Sequence, residues 1–352
     1  MNDKKTTYRE HTDMENTLKL RQVLATLPPF CRDYFRAIDT TTTAKTRISY
    51  AYDIRIFFQF LLDENPAFKD YSMTDFTVDV LDQIKAVDLE EYQEYLKLYQ
   101  SGDKTETNGE RGLKRKVSAL RSFYAYYYKR EMIQTNPTVL IDVPKIHEKS
   151  IIRLDTDEVA MLLDYIEHCG DTLTGQKRVY YEKTKERDLA IVTLLLGTGI
   201  RVSECVGLDI EDVDFKNNGI KVTRKGGNEM VVYFGPEVEK ALRRYLEVRE
   251  GITPLAGHEH ALFYSAQRKR IGVQAVENMV KKYSRQITTT KKITPHKLRS
   301  TYGTALYQET GDIYLVADVL GHKDVNTTKK HYAALDDARR RQAATAVKLR
   351  ED

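Results

Sequence analysis

The stretch VDFKNNGIKVTRKGGNEMVVYFG, Val213 to Gly235, departs from everything around it. Short β-branched runs are separated by Asn218-Gly219 and Gly226-Gly227, pairs that supply the positive φ of tight hairpin turns. The pattern predicts a three-stranded antiparallel meander from Val213 to Phe234. Its neighbours follow the helical period instead. PEVEKALRRYLEVRE resumes helix behind Pro236, tolerated at a first helical position. Upstream, RDLAIVTLLL is apolar nearly all round and predicts a buried helix that Gly197 stops, after which GTGIRVSECVGL turns into the next helix. The fold class is therefore mainly α with a small antiparallel sheet.

Further out, a polar N-terminal segment leads into a helix from about Thr43 to Glu64, with Ile54, Phe58 and Leu61 at helical spacing. LEEYQEYLKLY and NGERGLKRKVSALRSFYAYYYKREM repeat the pattern, giving an all-α, tyrosine-rich N-terminal domain of four or five helices. The aromatic run from Ser122 to Glu131 reads as core, although such rings can also stack bases. IQTNPTVLIDVPKIHEKSIIRL then breaks the periodicity at Pro137 and Pro144. Helix restarts in DTDEVAMLLDYIEHC, where Asp155 is an N-cap, Glu158 completes a capping box, and Val159, Leu162 and Ile166 form a stripe. Residues 1–140 are thus assigned to an N-terminal helical domain, 141–153 to a linker and 154–352 to a second domain that contains the meander.

A chain of 352 residues exceeds what one core usually supports. Lysine and arginine (56) barely outnumber aspartate and glutamate (52), so the net charge is +4 and any site for a polyanion must be local. Cys31, Cys169 and Cys205 are far apart and match no ligand spacing, which argues against disulfides and structural zinc. Neither GTG (197–199) nor KGG (225–227) has phosphate-loop spacing. No leader-like apolar segment and no run approaching about 18 apolar residues is present, so a cytoplasmic protein is expected.

Four stretches of the second domain hold polar residues that propensity alone does not require: GTGIRVSE, VTRKGGNE, TPHKLRSTYGT and VLGHKDVNTTKKHYA. Together they offer cationic donors around one potential nucleophile. Attack on a phosphodiester builds negative charge on non-bridging oxygens, which arginine forks answer bidentately. A tyrosine then forms a covalent phosphoryl intermediate. No acidic pair or metal-ligand cluster accompanies these residues, which disfavours a two-metal hydrolase.

KERDLAIVTLLLGTGIRVSE, KVTRKGG and ITPHKLRSTYGT, in this order, resemble the tyrosine recombinases of the integrase/Xer family, especially the single Xer-type recombinase of streptococci and lactococci. The similarity runs from about Arg21 to the C-terminus. It implies an N-terminal core-binding (SAM-like) DNA-binding domain, a C-terminal catalytic domain, and no metal, nucleotide or other cofactor. Arg201 resembles the first catalytic arginine and Lys225 the general acid that protonates the leaving 5′ oxygen. His296 and Arg299 match the HxxR box, His322 the next histidine, and Tyr332 the nucleophile. Glu204 is expected to orient Arg201. The chain departs from the pattern at Ser300, where many relatives have histidine. Tyr332 also lies ten residues after His322, one more than the commoner spacing, which would land on His331.

The resemblance further implies a double-stranded DNA target, a homotetramer on two sites joined by exchange of the C-terminal helix, and chromosome-dimer resolution or integration of a mobile element. An accessory translocase is a further expected partner; no membrane is. Lys45 and Arg47, and Arg111, Lys114, Arg115 and Lys116 at the start of a helix, read either as solvated faces or as phosphate contacts. A type IB topoisomerase shares the tyrosine and basic constellation but not the Xer-like N-terminal domain or the tail. A silent regulator on the same scaffold would not need all six catalytic positions.

Overall fold

The computed structural model describes residues 7–147, 151–224, 227–322, 324–326 and 328. The chain divides into two compact units, Met1–Glu148 and Lys149–Asp352. Among the described residues no helix is long and apolar enough to cross a membrane.

In the first unit, the polar N-terminal segment, for which the sequence predicts no element, forms α1 (Tyr8–Leu24), started by a reciprocal Thr7–Glu10 capping box. It buries little beyond Leu20 and Val23, hence its weak apolar signal. Next come α2 (Cys31–Ala37) and α3 (Ala44–Glu64), the latter capped by Thr43 as expected. Two helices, α4 (Val80–Gln83) and α5 (Ala86–Tyr95), precede α6 (Glu110–Lys129). The all-α expectation fails at one place: β1 (Leu98–Ser101) and β2 (Lys104–Thr107) pair as an antiparallel hairpin around Gly102, whose φ is +61°. Its side chains are almost all exposed, so it carries no alternating apolar pattern to read.

Phe57, Phe58, Phe123, Tyr124 and Tyr127 lie in one core with Tyr34 and Phe35. Edge-to-face pairs such as Tyr34–Phe123, with centroids 5.2 Å apart, hold it together; pairs of this kind add about 0.5–1.5 kcal/mol beyond area burial. Buried hydroxyls find acceptors: Tyr127 Oη donates to Phe30 O at 2.8 Å and Tyr34 Oη to Ser122 Oγ at 2.9 Å. The aromatic run is therefore core at Phe123, Tyr124 and Tyr127, while Tyr128 is exposed. Ile141, assigned by sequence to the linker, is buried here as well. Arg121 donates to the carbonyls of Thr138 (3.0 Å) and Ile141 (2.6 Å), so the chain leaves this unit later than residue 140.

Early in the second unit, Leu154 N–H donates to Thr301 Oγ1 at 3.0 Å. Helix α7 (Thr156–His168) starts at the expected Asp155–Glu158 box, and α8 (Gly175–Thr198) follows. After α9 (Val202–Gly207) come β3 (Val213–Asp214), β4 (Gly219–Thr223) and β5 (Glu229–Tyr233), antiparallel in the order β3-β4-β5. Register pairs Ile220 with Val232 and Val222 with Met230. Ile220, Val222 and Val232 are buried while Lys221, Val231 and Tyr233 face out, the alternation of a one-sided sheet. The chain continues through α10 (Pro236–Glu250), α11 (Val273–Ile287), α12 (Pro295–Thr310) and α13 (Ile313–Leu320).

Helix α8 is the central post, packed against α7, α10 and α12. Gly197 does not stop it. A Cβ there would stand 2.5 Å from Val238 Cγ2, so this glycine permits close approach of α10. The stop is Gly199, at φ +62°, with its N–H on Leu195 O at 3.1 Å.

Candidate active site

The end of α8, the start of α9, the β4–β5 hairpin, α12 and the end of α13 meet through side-chain hydrogen bonds. Helix α13 finishes in a Schellman turn: Gly321, at φ +59°, donates to Asp318 O at 2.8 Å, and His322 N–H reaches Ala317 O at 2.9 Å. These two bonds satisfy the carbonyls of residues 317 and 318. The next three carbonyls each receive an arginine. Arg224 Nη2 donates to Val319 O at 2.6 Å, Arg299 Nη2 to Leu320 O, and Arg201 Nη2 to Gly321 O at 3.4 Å. A helix carboxyl end carries unpaired carbonyls and partial negative charge, and here three guanidinium groups answer both.

Each arginine is delivered by a different element. Arg201 is the N-cap residue of α9; its backbone N–H donates to Glu204 Oε2 at 2.8 Å and its Nη1 to Glu204 Oε1 at 2.7 Å. Glu204 is buried, so one carboxylate fixes both the turn and the direction of the guanidinium, whose side chain keeps 34% of its surface exposed. Arg299, one turn into α12, is 4% exposed and also donates through Nη1 to Gly199 O at 2.5 Å. It thereby ties α8's glycine turn to α13's. Gly199 leaves no room for a side chain, since a Cβ would meet Tyr302 Cδ1 at 2.4 Å. Arg224, the first residue after β4, is 8% exposed.

His296 occupies the exposed first turn of α12, behind Thr294 and Pro295. His322 follows the Schellman turn, half-buried, with Nδ1 2.7 Å from Thr328 Oγ1. Ser300 Oγ donates to His296 O at 3.1 Å, a bond within its own helix. The arrangement can present cationic donors and imidazoles to an anion on a frame fixed by backbone carbonyls.

The phage integrase family matches residues 153–339, more than half of the chain. The chain belongs to this family, the tyrosine recombinases. Among its relatives, the tyrosine recombinase XerC of Caldanaerobacter subterraneus subsp. tengcongensis is 32% identical over 92% of this chain and 88% of that protein. Tyrosine recombinase XerS of Lactococcus lactis subsp. cremoris is 32% identical over 90% and 93%. XerS of Streptococcus uberis is 30% identical over 91% and 95%. In fold, this recombinase is similar to the XerH site-specific recombinase bound to palindromic difH substrate, with a TM-score of 0.66, 20% identity and coverage of 97% and 90%. It is also similar to the Tn1549 transposon integrase in complex with a circular intermediate DNA, with a TM-score of 0.62, 20% identity and coverage of 90% and 98%.

Of the six candidate catalytic residues in the recombinase, the structure joins Arg201 and Arg299 to the helix end that precedes His322, with Glu204 on Arg201. His296 shares α12 with Arg299, but the two differ in setting: one faces out and the other is enclosed. Lys225, Tyr332 and the C-terminal exchange helix lie outside the described residues. Arg224 is the residue that sequence reading passes over; its one signal is position, immediately before Lys225 in VTRKGG.

In the first unit the six basic candidates divide. Lys45, Arg111, Lys114 and Arg115 are exposed. Lys116 is not a surface cation: it is 6% exposed, and its Nζ stands 3.4 Å from Asp53 Oδ1. Arg115 reaches the same carboxylate. Burial raises the Asp53 carboxyl, and Arg115 and Lys116 beside it oppose that rise. Arg47 is largely enclosed and pairs with Asp39, and burial lowers its guanidinium. A basic run at a helix start thus hides two different jobs, core charge compensation for Lys116 and surface charge for Arg111 and Lys114.

Proposed function

We propose that this recombinase exchanges DNA strands at specific sites through a 3′-phosphotyrosyl intermediate formed on Tyr332. The observation that supports it most is the convergence of Arg201 and Arg299 on the carbonyls of residues 321 and 320, directly before His322. Two guanidinium groups held in this way are oriented before any phosphate arrives, so little reorganisation is needed as charge develops. In the reaction Tyr332 Oη forms a bond to phosphorus and the bond to the 5′ oxygen breaks. The phenolic proton passes to an imidazole, and Lys225 supplies the proton that the leaving oxygen takes up. Arg201, Arg299, His296 and His322 bear the charge on the non-bridging oxygens. A 5′ hydroxyl from a second duplex reverses the step.

Phosphate contacts from the exposed cations of the first unit, Lys45, Arg111, Lys114 and Arg115, supply affinity and few base contacts supply address. The biological reading is chromosome-dimer resolution by a DNA-bound homotetramer, with a translocase as an accessory partner and the C-terminal helix passed between protomers. Relatives named XerS and XerC, at about nine-tenths coverage, favour it over integration of a mobile element.

The test is covalent trapping. Nicked duplexes from a random-sequence pool, incubated with the protein and run on a denaturing gel, should yield a protein–DNA adduct that Tyr332→Phe lacks. Two copies of the captured sequence should give recombinant product. Absence of any adduct from the unaltered protein overturns the reading, and relaxation of plasmids without site preference would make it a topoisomerase. Adducts mapping to one chromosomal locus, not to the ends of an element, would support dimer resolution.

A further inference from the structure

Arg224 is a cation buried in an unusual way. Its Nη2 donates to Val319 O at 2.6 Å, yet its Nε and Nη1 are enclosed with no hydrogen-bond partner among the described residues. The guanidinium lies directly beneath Gly321: a Cβ on that glycine would fall 1.4 Å from Nη1 and 2.4 Å from Cζ. Burial lowers the Arg224 guanidinium, Glu204 opposes this and Arg201 adds to it. An enclosed charged group with part of its hydrogen-bonding capacity unused is costly and persists where the surrounding structure gains from it.

The gain is mechanical. Arg224 belongs to the β4–β5 hairpin, where its N–H donates to Asn228 O at 2.8 Å and its carbonyl accepts from Gly227 N–H at 2.9 Å. Its side chain ends on α13, 95 residues further along the chain. One residue thus fastens the hairpin to the turn that carries His322, and the next residue in the sequence is Lys225. Because Nε and Nη1 are enclosed, a DNA phosphate does not reach them. Arg224 therefore acts through its neighbours.

We propose that Arg224 is a positioning residue that locks the β4–β5 hairpin, and with it Lys225, to the His322 turn, so that the leaving oxygen is protonated in register with attack. This rests on the reading of Lys225 as the general acid. It assigns to Val319 O and Gly321 the matching half of the lock, and it makes Gly321 indispensable for space as well as for its positive φ.

The experiment compares two nicked duplexes of the captured sequence, one with the ordinary 5′ oxygen at the cleaved bond and one with sulfur in its place. A thiol with a pKa near about 8.5 departs as thiolate without a proton, whereas an alcohol does not. In both reactions the bond from phosphorus to Tyr332 Oη forms; in the second, the phosphorus–sulfur bond breaks and sulfur keeps the electron pair. Arg224→Met should form adduct about 10- to 100-fold more slowly on the oxygen substrate, less than the roughly 10²–10⁴ expected for loss of the acid itself, and within about threefold of wild type on the sulfur substrate. Arg224→Lys, which keeps the charge and one donor, should show a smaller defect with the same rescue. Should Arg224→Met fail to fold by circular dichroism, the oxygen-to-sulfur comparison is read on Arg224→Lys. Equal slowing on both substrates, or none on either, overturns the proposal. No adduct from wild-type protein on either substrate instead overturns the recombinase reading and takes this one with it.

Discussion

Arginine–carboxylate clusters made of similar parts stand midway along α8 and just beyond its C-terminal end, and they are put to opposite uses. At Arg187 and Asp188 the charges balance. Asp188 Oδ1 accepts from Arg187 Nε at 2.9 Å and Nη2 at 2.6 Å, Oδ2 accepts from Tyr283 Oη at 2.9 Å, and Arg187 Nη1 donates to Tyr264 O at 3.0 Å. Burial alone would lower the Arg187 guanidinium, but Asp188, with Tyr180 beside it, more than reverses this. The Tyr283 phenol is pushed well up, by burial first and by Asp188 second. Beyond Gly199 the balance is gone: three guanidinium groups, Arg201, Arg224 and Arg299, gather on one helix end, with Glu204 as the carboxylate that accepts from Arg201. A balanced cluster is scaffold. A cluster held on carbonyls with positive charge in excess can present that charge to an anion.

The strongest way to break this contrast is to remove the anion from the balanced cluster. Asp188→Ala strands a buried Arg187 and should cost about 3–5 kcal/mol of stability in urea unfolding. Its effect on adduct formation, measured where the variant is still folded, should be small. Arg201→Ala should weigh the other way. It leaves the buried Glu204 carboxylate with the backbone N–H of residue 201, so unfolding should shift by less than for Asp188→Ala, about 1–2 kcal/mol, while adduct formation falls by about 10²–10³, the usual loss for one positioned donor to a developing oxyanion. If Asp188→Ala kept its stability, or Arg201→Ala kept its rate, the division of labour between the two clusters would be wrong.

Glu204→Gln sharpens the contrast from inside the site. The amide oxygen can still accept from Arg201 N–H, so the α9 turn should survive. The NH2 that replaces the other oxygen cannot accept from Arg201 Nη1, so that charge-assisted bond is lost, a loss of about 1.5 kcal/mol. Adduct formation should therefore slow by about tenfold in single-turnover assays, with melting almost unchanged. A slowing as large as that of Arg201→Ala would give Glu204 a part in the chemistry itself.

What the sequence made legible follows from how each signal arises. The meander was readable because Asn218-Gly219 and the β-branched runs of β4 and β5 are local, and the starts of α3 and α7 because Thr43, Asp155 and Glu158 cap within three residues of themselves. The β1–β2 hairpin was not readable, since strands exposed on both faces need no apolar alternation. At the site, Arg201 and Arg299 stood out by residue type and order. Arg224 did not, because its role depends on Val319 O, and no spacing rule links a hairpin to a helix end so far along the chain. Lys116 could not be told from Lys114 without knowing that Asp53 on α3 lies under it.

Gly197 and Gly199 carry the same lesson on the smallest scale, and Gly197→Ala gives the smallest predicted effect. Both glycines sit in GTG, and a rule that ends helices at glycine picks the first. The helix runs through Gly197 because its φ is helical and the missing side chain makes room for Val238; Gly199 ends the helix because its φ is not. Alanine at 197 should gain about 0.5–1 kcal/mol of helix preference and lose about 1–3 kcal/mol to the overlap with Val238 Cγ2, a net destabilisation near about 1 kcal/mol. Pairing it with Val238→Ala removes the overlapping methyls, so the double variant should be more stable than the sum of the two single changes. That coupling, read from urea midpoints, separates a glycine kept for close helix packing from one kept for its backbone. Strict additivity would mean that α10 does not sense position 197 at all.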